Sequence, residues 1–265
     1  MNHIHKYLEK INNFNDIYLI AEDLEKKEKG DLFELITYYL FKLDPRLNNQ
    51  LQSIWLYNDI PDKIRNELNL PTRDKGIDLL PKIHDQYYPI QCKFRQNPQI
   101  VISWTELSTF FGLAFGMNHQ INKGFFVTNT MDLCDEVIKS KKVEPIYADY
   151  FNGLPDNFFN NIRNDLNQKK IIRYQRKIPF QYQRICQVYC ELNFAEFNRG
   201  YIEMACGTGK TLSSYWIDQK FKTMRTVIFV PSLYLLSQFY SDWVNQSCAE
   251  KHNFNYLLIG SDAAL

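Results

Sequence analysis

The sequence predicts two successive α/β domains, and three observations lead to this fold class. Helical and strand-like segments alternate in two separate series along the 265 residues, which is typical of α/β folds. Between the series, residues 156–176 become rich in Asn, Gln, Lys and Arg, a composition that indicates a domain boundary. In the second series a strand-like run, a loop with two glycines and a helical pattern follow one another directly around residues 201–222.

Composition describes a folded chain and excludes several classes of protein. Hydrophobic residues make up 45% and charged residues 23%, as in ordinary globular domains. The net charge of +1 gives no overall basic field, although a local basic stripe would be averaged away. The six cysteines contain no CxxC pair and no zinc spacing with the five histidines. The N-terminus lacks the apolar core of a signal peptide, and no run approaches the roughly 18 apolar residues of a membrane span. We therefore expect a soluble, cytoplasmic protein.

The first series predicts a domain over residues 30–158, preceded by a helical segment at 1–29 and followed by a linker at 159–176. Residues 4–27 have helical spacing with a break around Asn12–Asn15, and a second helix ends before Pro45. The other predicted elements are strands at 76–80, 88–93, 124–127 and 143–148 and helices at 31–43, 104–117 and 132–140.

The second series predicts a domain over residues 177–265. Its predicted elements are helices at 183–194, 211–222 and 233–244 and strands at 201–204, 226–230 and 256–259.

The loop Ala205–Thr211 (ACGTGKT) lies between a predicted strand and a predicted helix. In that setting backbone N–H groups converge on phosphate oxygens at the positive end of the helix. The residues expected to hold a nucleotide are Gly207, Thr208, Gly209, Lys210 and Thr211. The glycines allow the backbone angles, the lysine reaches the β- and γ-phosphates, and the Thr211 hydroxyl holds the Mg²⁺ of the nucleotide. The sequence thus predicts a site for a nucleoside triphosphate.

This loop and its neighbours resemble superfamily 2 helicases. The strict loop pattern has glycine at the position of Met204, and members of that superfamily often lack it. Residues 179–184 (PFQYQR) are similar to their Q motif, in which Gln183 would read the adenine edge, and residues 229–233 (FVPSL) are similar to motif Ia. The resemblance implies a partial RecA-like α/β domain.

The printed sequence reaches Leu265 before a DEAD/DEAH-type acidic box or a second RecA-like domain appears. We therefore expect ATP binding, with doubtful ATPase or helicase activity, and motor or specificity segments on the same or another chain.

Four residues of the first domain form a second candidate site. Glu34 lies in a predicted helix, Asp78 lies in the predicted strand GIDLL, and Gln91 and Lys93 lie in the next strand. Residues i and i+2 of a strand share a face, so a hairpin would bring Gln91 and Lys93 beside Asp78. Carboxylate and amide oxygens suit Mg²⁺, and a lysine can orient water and neutralise a reacting phosphate. This combination is what hydrolysis of a phosphodiester requires.

The motif Gly76-Ile77-Asp78 followed by Gln91-Cys92-Lys93 resembles the Mrr-like branch of the PD-(D/E)XK nucleases. In that branch Q-x-K replaces the usual (D/E)-x-K. The similarity continues through residues 107–112, 123–129 and 143–154, so it covers about residues 30–155. It implies a restriction-endonuclease-like α/β/α domain in which Asp78, Gln91, Lys93 and Glu34 are catalytic. In that case Asp78, Gln91 and Glu34 hold Mg²⁺.

Each of these residues also has a structural interpretation. Glu34 could complete a capping box with Asp31 at a helix N-terminus. Asp78 among apolar neighbours is costly unless it is liganded, and Gln91 and Lys93 could form the solvated face of a strand.

A nuclease followed by a superfamily 2 motor resembles the restriction-type helicase–nucleases of type I, type III and single-polypeptide ATP-dependent systems, and related helicases of large DNA viruses. The resemblance implies a Mg²⁺-dependent endonuclease acting on double-stranded DNA. Two alternatives stay open: a non-catalytic DNA-binding remnant, and a nuclease for RNA or branched DNA.

Overall fold

The computed structural model describes residues 2–48, 51–72, 76–116, 120–169, 176–252 and 254–260. The chain divides into two compact units, Met1–Ile172 and Arg173–Leu265, called here the first and second unit. None of the described helices combines the length and the apolar character needed to cross a lipid bilayer.

The first unit consists of helices around one mixed sheet. Its helices are α1 Asn2–Leu8, α2 Asp16–Glu22, α3 Lys26–Leu43, α4 Pro45–Asn48, α5 Asp62–Glu67, α6 Trp104–Phe111, α7 Asp135–Ser140, α8 Ala148–Asn152 and α9 Phe158–Leu166. Its strands are β1 Leu51–Leu56, β2 Leu79–Ile83, β3 Gln86–Tyr87, β4 Ile90–Lys93, β5 Gly124–Thr128 and β6 Val143–Ile146. A π-helical turn, Gly112–Gly116, continues α6 up to the described limit of the predicted helix 104–117.

The sheet has the order β1-β2-β4-β5-β6, with β3 paired to β2. Strands β1, β2 and β4 pair antiparallel, whereas β4, β5 and β6 pair parallel. The turn between β2 and β3 has positive φ at His84 and Asp85, the geometry that suits the twist of a tight hairpin. Strand β1 was not among the predicted elements, because the apolar residues of LQSIWL do not alternate regularly.

Side chains of the sheet divide between two cores, one on each face. Phe125 and Val127 of β5 belong to the core formed with α1, α2, α3 and α9. Phe126, between them in sequence, belongs to the core formed with α6 and α7. This alternation follows from the two-residue period of a strand. The first unit is therefore a sheet covered by helices on both faces.

Two differences from the predicted elements concern the ends of this unit. Helix α3 begins at Lys26, five residues before the predicted start at 31, because Glu25 and Glu28 cap it: the Glu25 N–H donates to Glu28 Oε2 at 3.1 Å. The first part of the predicted linker, residues 159–166, lies in α9, where Phe159 and Ile162 are buried in the core. The overall composition of this segment is polar and does not indicate a buried helix, because its few apolar residues all lie on one helix face.

The described part of the second unit contains three helices, α10 Gln181–Glu196, α11 Lys210–Phe221 and α12 Leu233–Glu250. Their small core comprises Leu212, Tyr215, Trp216 and Trp243. The helices agree with the prediction, but the strands do not: within the described part of this unit, residues 201–204, 226–230 and 256–259 form no paired strand. Their side chains are largely exposed, with Phe229 at 92%. An apolar run becomes a strand only when another strand pairs with it.

Replacing Ile162 by Ala should lower the free energy of unfolding of the first unit by about 3 kcal/mol, because this fully buried side chain would leave a cavity in the core. Leu19→Ala is the matched control: Leu19 is 68% exposed on α2, so we expect a change below about 0.5 kcal/mol. Urea unfolding measured by circular dichroism gives both values. Equal effects of the two substitutions would contradict the position of α9.

Candidate functional site

Asp78 lies just before β2 and is fixed by backbone hydrogen bonds to Ile90 of β4 and to Tyr57, directly after β1. Its N–H donates to the Ile90 carbonyl oxygen at 2.8 Å, and its carbonyl oxygen accepts from the Tyr57 N–H at 2.8 Å. The side chain is 8% exposed, and Oδ2 accepts a hydrogen bond from the Cys92 N–H at 2.6 Å. The carboxylate therefore lies against the backbone of β4, beside Gln91.

Gln91 and Lys93 share the opposite face of β4 from Cys92. They pair in register with Phe126 and Thr128 of β5. Gln91 is 4% exposed, and its Oε1 atom is buried with no hydrogen-bond partner among the described residues. A buried amide oxygen without a donor is costly, and a cation would satisfy it. The burial of this oxygen favours a role for Gln91 as a metal ligand over the interpretation that it lies on the solvated face of a strand.

Gly76 keeps space open beside Gln91. Its φ of +115° is rarely adopted by other residues, and an added Cβ would lie 3.2 Å from the Phe110 nitrogen and 3.5 Å from Gln91 Nε2. The glycine of the Gly-Ile-Asp motif is therefore required by backbone conformation and by the close approach of α6.

Glu34 lies inside α3, on the helix that covers the Cys92 face of the sheet. The capping-box interpretation is wrong, because Asp31 lies within the helix and Glu25 is the N-terminal cap. Burial, followed by the negative charges of Asp78 and Glu34, raises the pKa of the Cys92 thiol well above its usual value. Both carboxylates therefore lie within electrostatic range of one side chain.

Lys93 is half-buried at the carboxyl end of β4. Its positive charge acts to lower the pKa of the Cys92 thiol, against the effect of the two carboxylates. Within the described ranges no three His, Cys, Asp or Glu side chains form a metal-binding cluster. A site here therefore depends on the amide oxygen of Gln91 as well as on carboxylates. Such an all-oxygen donor set fits Mg²⁺.

The phosphate-loop candidate in the second unit has the backbone geometry that the motif requires. Gly207 and Gly209 have φ values of +77° and +75°, and α11 begins at Lys210 directly after the loop. Lys210 Nζ donates to the carbonyl oxygens of Met204 at 2.9 Å and Ala205 at 3.0 Å. Its ammonium group is therefore held over the loop itself. Thr208 Oγ1 also donates to the Ala205 carbonyl oxygen at 2.7 Å.

Gln183 holds this loop against the start of α10. Its Oε1 accepts from the Phe180 N–H at 2.8 Å, and its Nε2 donates to the Thr208 carbonyl oxygen at 3.0 Å. A Cβ at Gly209 would lie 2.7 Å from Gln183 Nε2, so a larger residue would displace the Gln183 side chain from this contact. Sequence reasoning assigned Gln183 to adenine and missed its contact with the loop, which depends on two segments 25 residues apart.

Thr211 follows Lys210 in the first turn of α11 and is partly buried. Its carbonyl oxygen accepts from Trp243 Nε1 of α12 at 3.0 Å. Thus all five residues predicted to hold a nucleotide lie in one loop and helix start.

Asn129 is a buried polar residue near Lys93 that the sequence analysis did not assign to the site. It is fully buried directly after β5 and bonds to the backbone of Arg95, which follows Lys93 by two residues. An Asn directly after a buried strand was the available signal.

Comparison with protein families finds two successive matches along the chain. Residues 42–148 match an Mrr-type family model described as "Restriction endonuclease". Residues 156–262 match the model described as "Type III restriction enzyme, res subunit". The predicted resemblance, a restriction endonuclease segment followed by a helicase segment, is confirmed. The predicted enzyme class, a DNA-cleaving hydrolase, agrees with the first of these models.

The fold also matches a solved structure, described as "ATP-dependent Type ISP restriction-modification enzyme LlaBIII bound to DNA". The TM-score is 0.64 at 23% sequence identity. The match covers 89% of this chain and 15% of that chain. The predicted fold class, a restriction-endonuclease-like domain followed by a helicase-like domain, is confirmed by this similarity. No sequence among curated proteins matches the chain.

Thiol labelling at different pH values tests the environment of Cys92. Because burial and two carboxylates raise its pKa, Cys92 should stay protonated and unlabelled by iodoacetamide in the folded protein between about pH 7 and 9. Exposed Cys206 is the internal control and should be labelled. Peptide mass spectrometry measures both. Labelling of Cys92 at the rate of Cys206 would contradict its placement between β4 and α3.

Proposed function

We propose that the first unit is a Mg²⁺-dependent endonuclease for double-stranded DNA. The observation that carries this proposal is the buried, unpartnered Oε1 of Gln91 next to the buried carboxylate of Asp78. A charged carboxylate and an orphaned amide oxygen are both costly in a protein interior, and one cation offsets both costs. The similarity to the restriction endonuclease model supports DNA as the substrate.

Asp78 and Gln91 would hold the metal, with Asp78 fixed by the Cys92 N–H. Glu34 lies on α3, which covers the opposite face of β4 from Gln91, so in this proposal it acts on the site through its charge. When bound, Mg²⁺ supplies neutralisation of phosphate charge and activation of water. Lys93 shares a strand face with Gln91, so its ammonium group can bind a phosphate oxygen and orient the attacking water. A positioned cation of this kind stabilises the charge that develops at phosphorus.

The second unit, in this proposal, binds ATP through Gly207, Thr208, Gly209, Lys210 and Thr211, and Gln183 also contacts the adenine. The positive φ values of the two glycines and the start of α11 at Lys210 support this function. Backbone N–H groups of such a loop bind anions. Lys210 would exchange its two carbonyl contacts for phosphate oxygens.

The nuclease proposal predicts that Asp78→Ala and Lys93→Ala each lower Mg²⁺-dependent plasmid cleavage by at least about 100-fold. Gln91→Glu should retain cleavage and reach half-maximal rate at a lower Mg²⁺ concentration, because a carboxylate binds the hard cation more strongly. Gel electrophoresis of plasmid over a range of Mg²⁺ concentrations measures both effects.

Lys82→Ala is the matched lysine control on the neighbouring strand, where Lys82 pairs with Asp85, and it should cut at the unsubstituted rate. Absence of cleavage by the unsubstituted protein at every Mg²⁺ concentration would exclude the nuclease. If DNA binding then remained, the chain would be a non-catalytic DNA-binding protein. Cleavage of RNA or branched DNA in preference to plasmid would show that the proposed site is catalytic but acts on a different substrate.

Nucleotide binding can be measured separately with a fluorescent ATP analogue. Lys210→Ala should weaken binding by at least about 10-fold, because it removes a charge-assisted hydrogen bond to phosphate. Lys220→Ala, on the same helix and paired with Glu191, should bind normally. Equal affinity of the unsubstituted protein and Lys210→Ala would exclude the loop as the binding site.

A further inference from the structure

Asn129 connects the two parallel strands at the carboxyl edge of the sheet. It is fully buried, and its side-chain amide bonds to both polar groups of the Arg95 backbone. The Arg95 N–H donates to Asn129 Oδ1 at 2.7 Å, and Asn129 Nδ2 donates to the Arg95 carbonyl oxygen at 2.6 Å. Nδ2 also donates to the Tyr18 hydroxyl at 3.1 Å.

These bonds extend the strand pairing beyond the last backbone partners. The register of β4 and β5 ends at Lys93 and Thr128. One residue after the end of β5, the Asn129 amide supplies the donor and acceptor that a further backbone pair would have supplied. The chain after Lys93 is thereby held for two more residues.

The groups around this amide are themselves held by further hydrogen bonds and an ion pair. Arg95 forms an ion pair with Glu106 near the start of α6, and Glu106 Oε2 accepts from the Ser103 N–H at 3.1 Å. The carbonyl oxygen of Tyr18 accepts from Gln96 Nε2 at 3.0 Å. A segment before the sheet, at Tyr18, and the segment between β4 and β5, at Glu106, therefore both contact the residues that follow Lys93.

We propose that Asn129 is a positioning residue for Lys93: its amide fixes the backbone on the carboxyl side of Lys93, so that the ammonium group stays aligned with Gln91 and Asp78. The proposal rests on the nuclease function proposed above. The β2–β4 pairing fixes the other side of the same segment, through Leu79 and Ile90. With only one side fixed, the lysine would sample positions that do not serve catalysis.

The test compares Asn129→Ala and Asn129→Asp with the unsubstituted full chain in single-turnover plasmid cleavage with Mg²⁺. Asn129→Ala removes both bonds to Arg95 and should lower the cleavage rate constant by about 10- to 100-fold, the range for a displacement of catalytic groups by about 1 Å. DNA affinity, measured with Ca²⁺ in place of Mg²⁺, should change by less than about 2-fold.

Asn129→Asp adds a readout that a purely structural role would not produce. A protonated carboxyl group can donate to the Arg95 carbonyl oxygen as the amide does, whereas a carboxylate cannot. The cleavage rate of Asn129→Asp, divided by that of the unsubstituted protein, should therefore rise as pH falls through the carboxyl pKa. The same ratio for Asn129→Ala should stay flat. All rates are measured at least 15 °C below each melting temperature, which circular dichroism gives.

Gln246→Ala is the matched control. Gln246 is 2% exposed in the second unit, and its amide bonds to the N–H and the carbonyl oxygen of Lys177 at 3.0 and 2.8 Å. It is therefore the same kind of contact in the unit that does not contain the nuclease candidate, and its loss should leave cleavage unchanged.

Cleavage by both Asn129 variants at the unsubstituted rate would overturn the positioning role and leave the nuclease in place. A loss of DNA affinity equal to the loss of rate would overturn it as well. If Asn129→Ala does not fold, the test depends on Asn129→Asp alone. A relative cleavage rate of Asn129→Asp that does not change with pH would then overturn the positioning role. Failure of the unsubstituted protein to cut would instead overturn the nuclease function and this proposal together.

Discussion

The hydrogen bond from the Cys92 N–H to the Asp78 carboxylate is the interaction on which the first unit's site depends. A carboxylate that is 8% exposed requires compensation for lost hydration, and this bond of 2.6 Å provides part of it. The bond also fixes the register between the segment before β2 and strand β4. A slip of one residue would exchange the faces of Cys92 and its neighbours. Gln91 and Lys93 would then point towards α3.

Amide side chains hold backbone segments in place in both units. Asn129 binds the backbone of Arg95, Gln246 binds that of Lys177, and Gln183 joins Phe180 to Thr208. A side-chain amide presents an N–H donor and a carbonyl acceptor side by side, as one residue does on the hydrogen-bonding edge of a strand. It can therefore replace a missing backbone partner where a strand or helix ends. Burial strengthens such bonds, because water does not compete for them.

The two units differ in how far their structure depends on distant partners. In the first unit, the sheet is complete enough for both faces to be covered by helices. In the second, the phosphate-loop geometry is present although the neighbouring apolar runs are exposed, with Tyr201 at 88% and Leu257 at 81%. The loop can form alone because glycine backbone angles, the start of α11 and one glutamine determine it. Strands cannot, because each requires a partner.

The sequence by itself predicted most of the helices and strands around the sheet of the first unit and the three helices in the described part of the second. It also proposed the residues of both candidate sites. Glycines at fixed spacing and the motif Gly-Ile-Asp with Gln-Cys-Lys carry that information locally. Only the tertiary structure showed strand β1, the buried helix α9 and the unpartnered oxygen of Gln91. It also placed Asn129 on the backbone after Lys93. The physical reason is that burial and hydrogen-bond partners depend on segments far apart in the chain, as with Arg95 and Asn129, which are 34 residues apart. No local pattern contains such pairings.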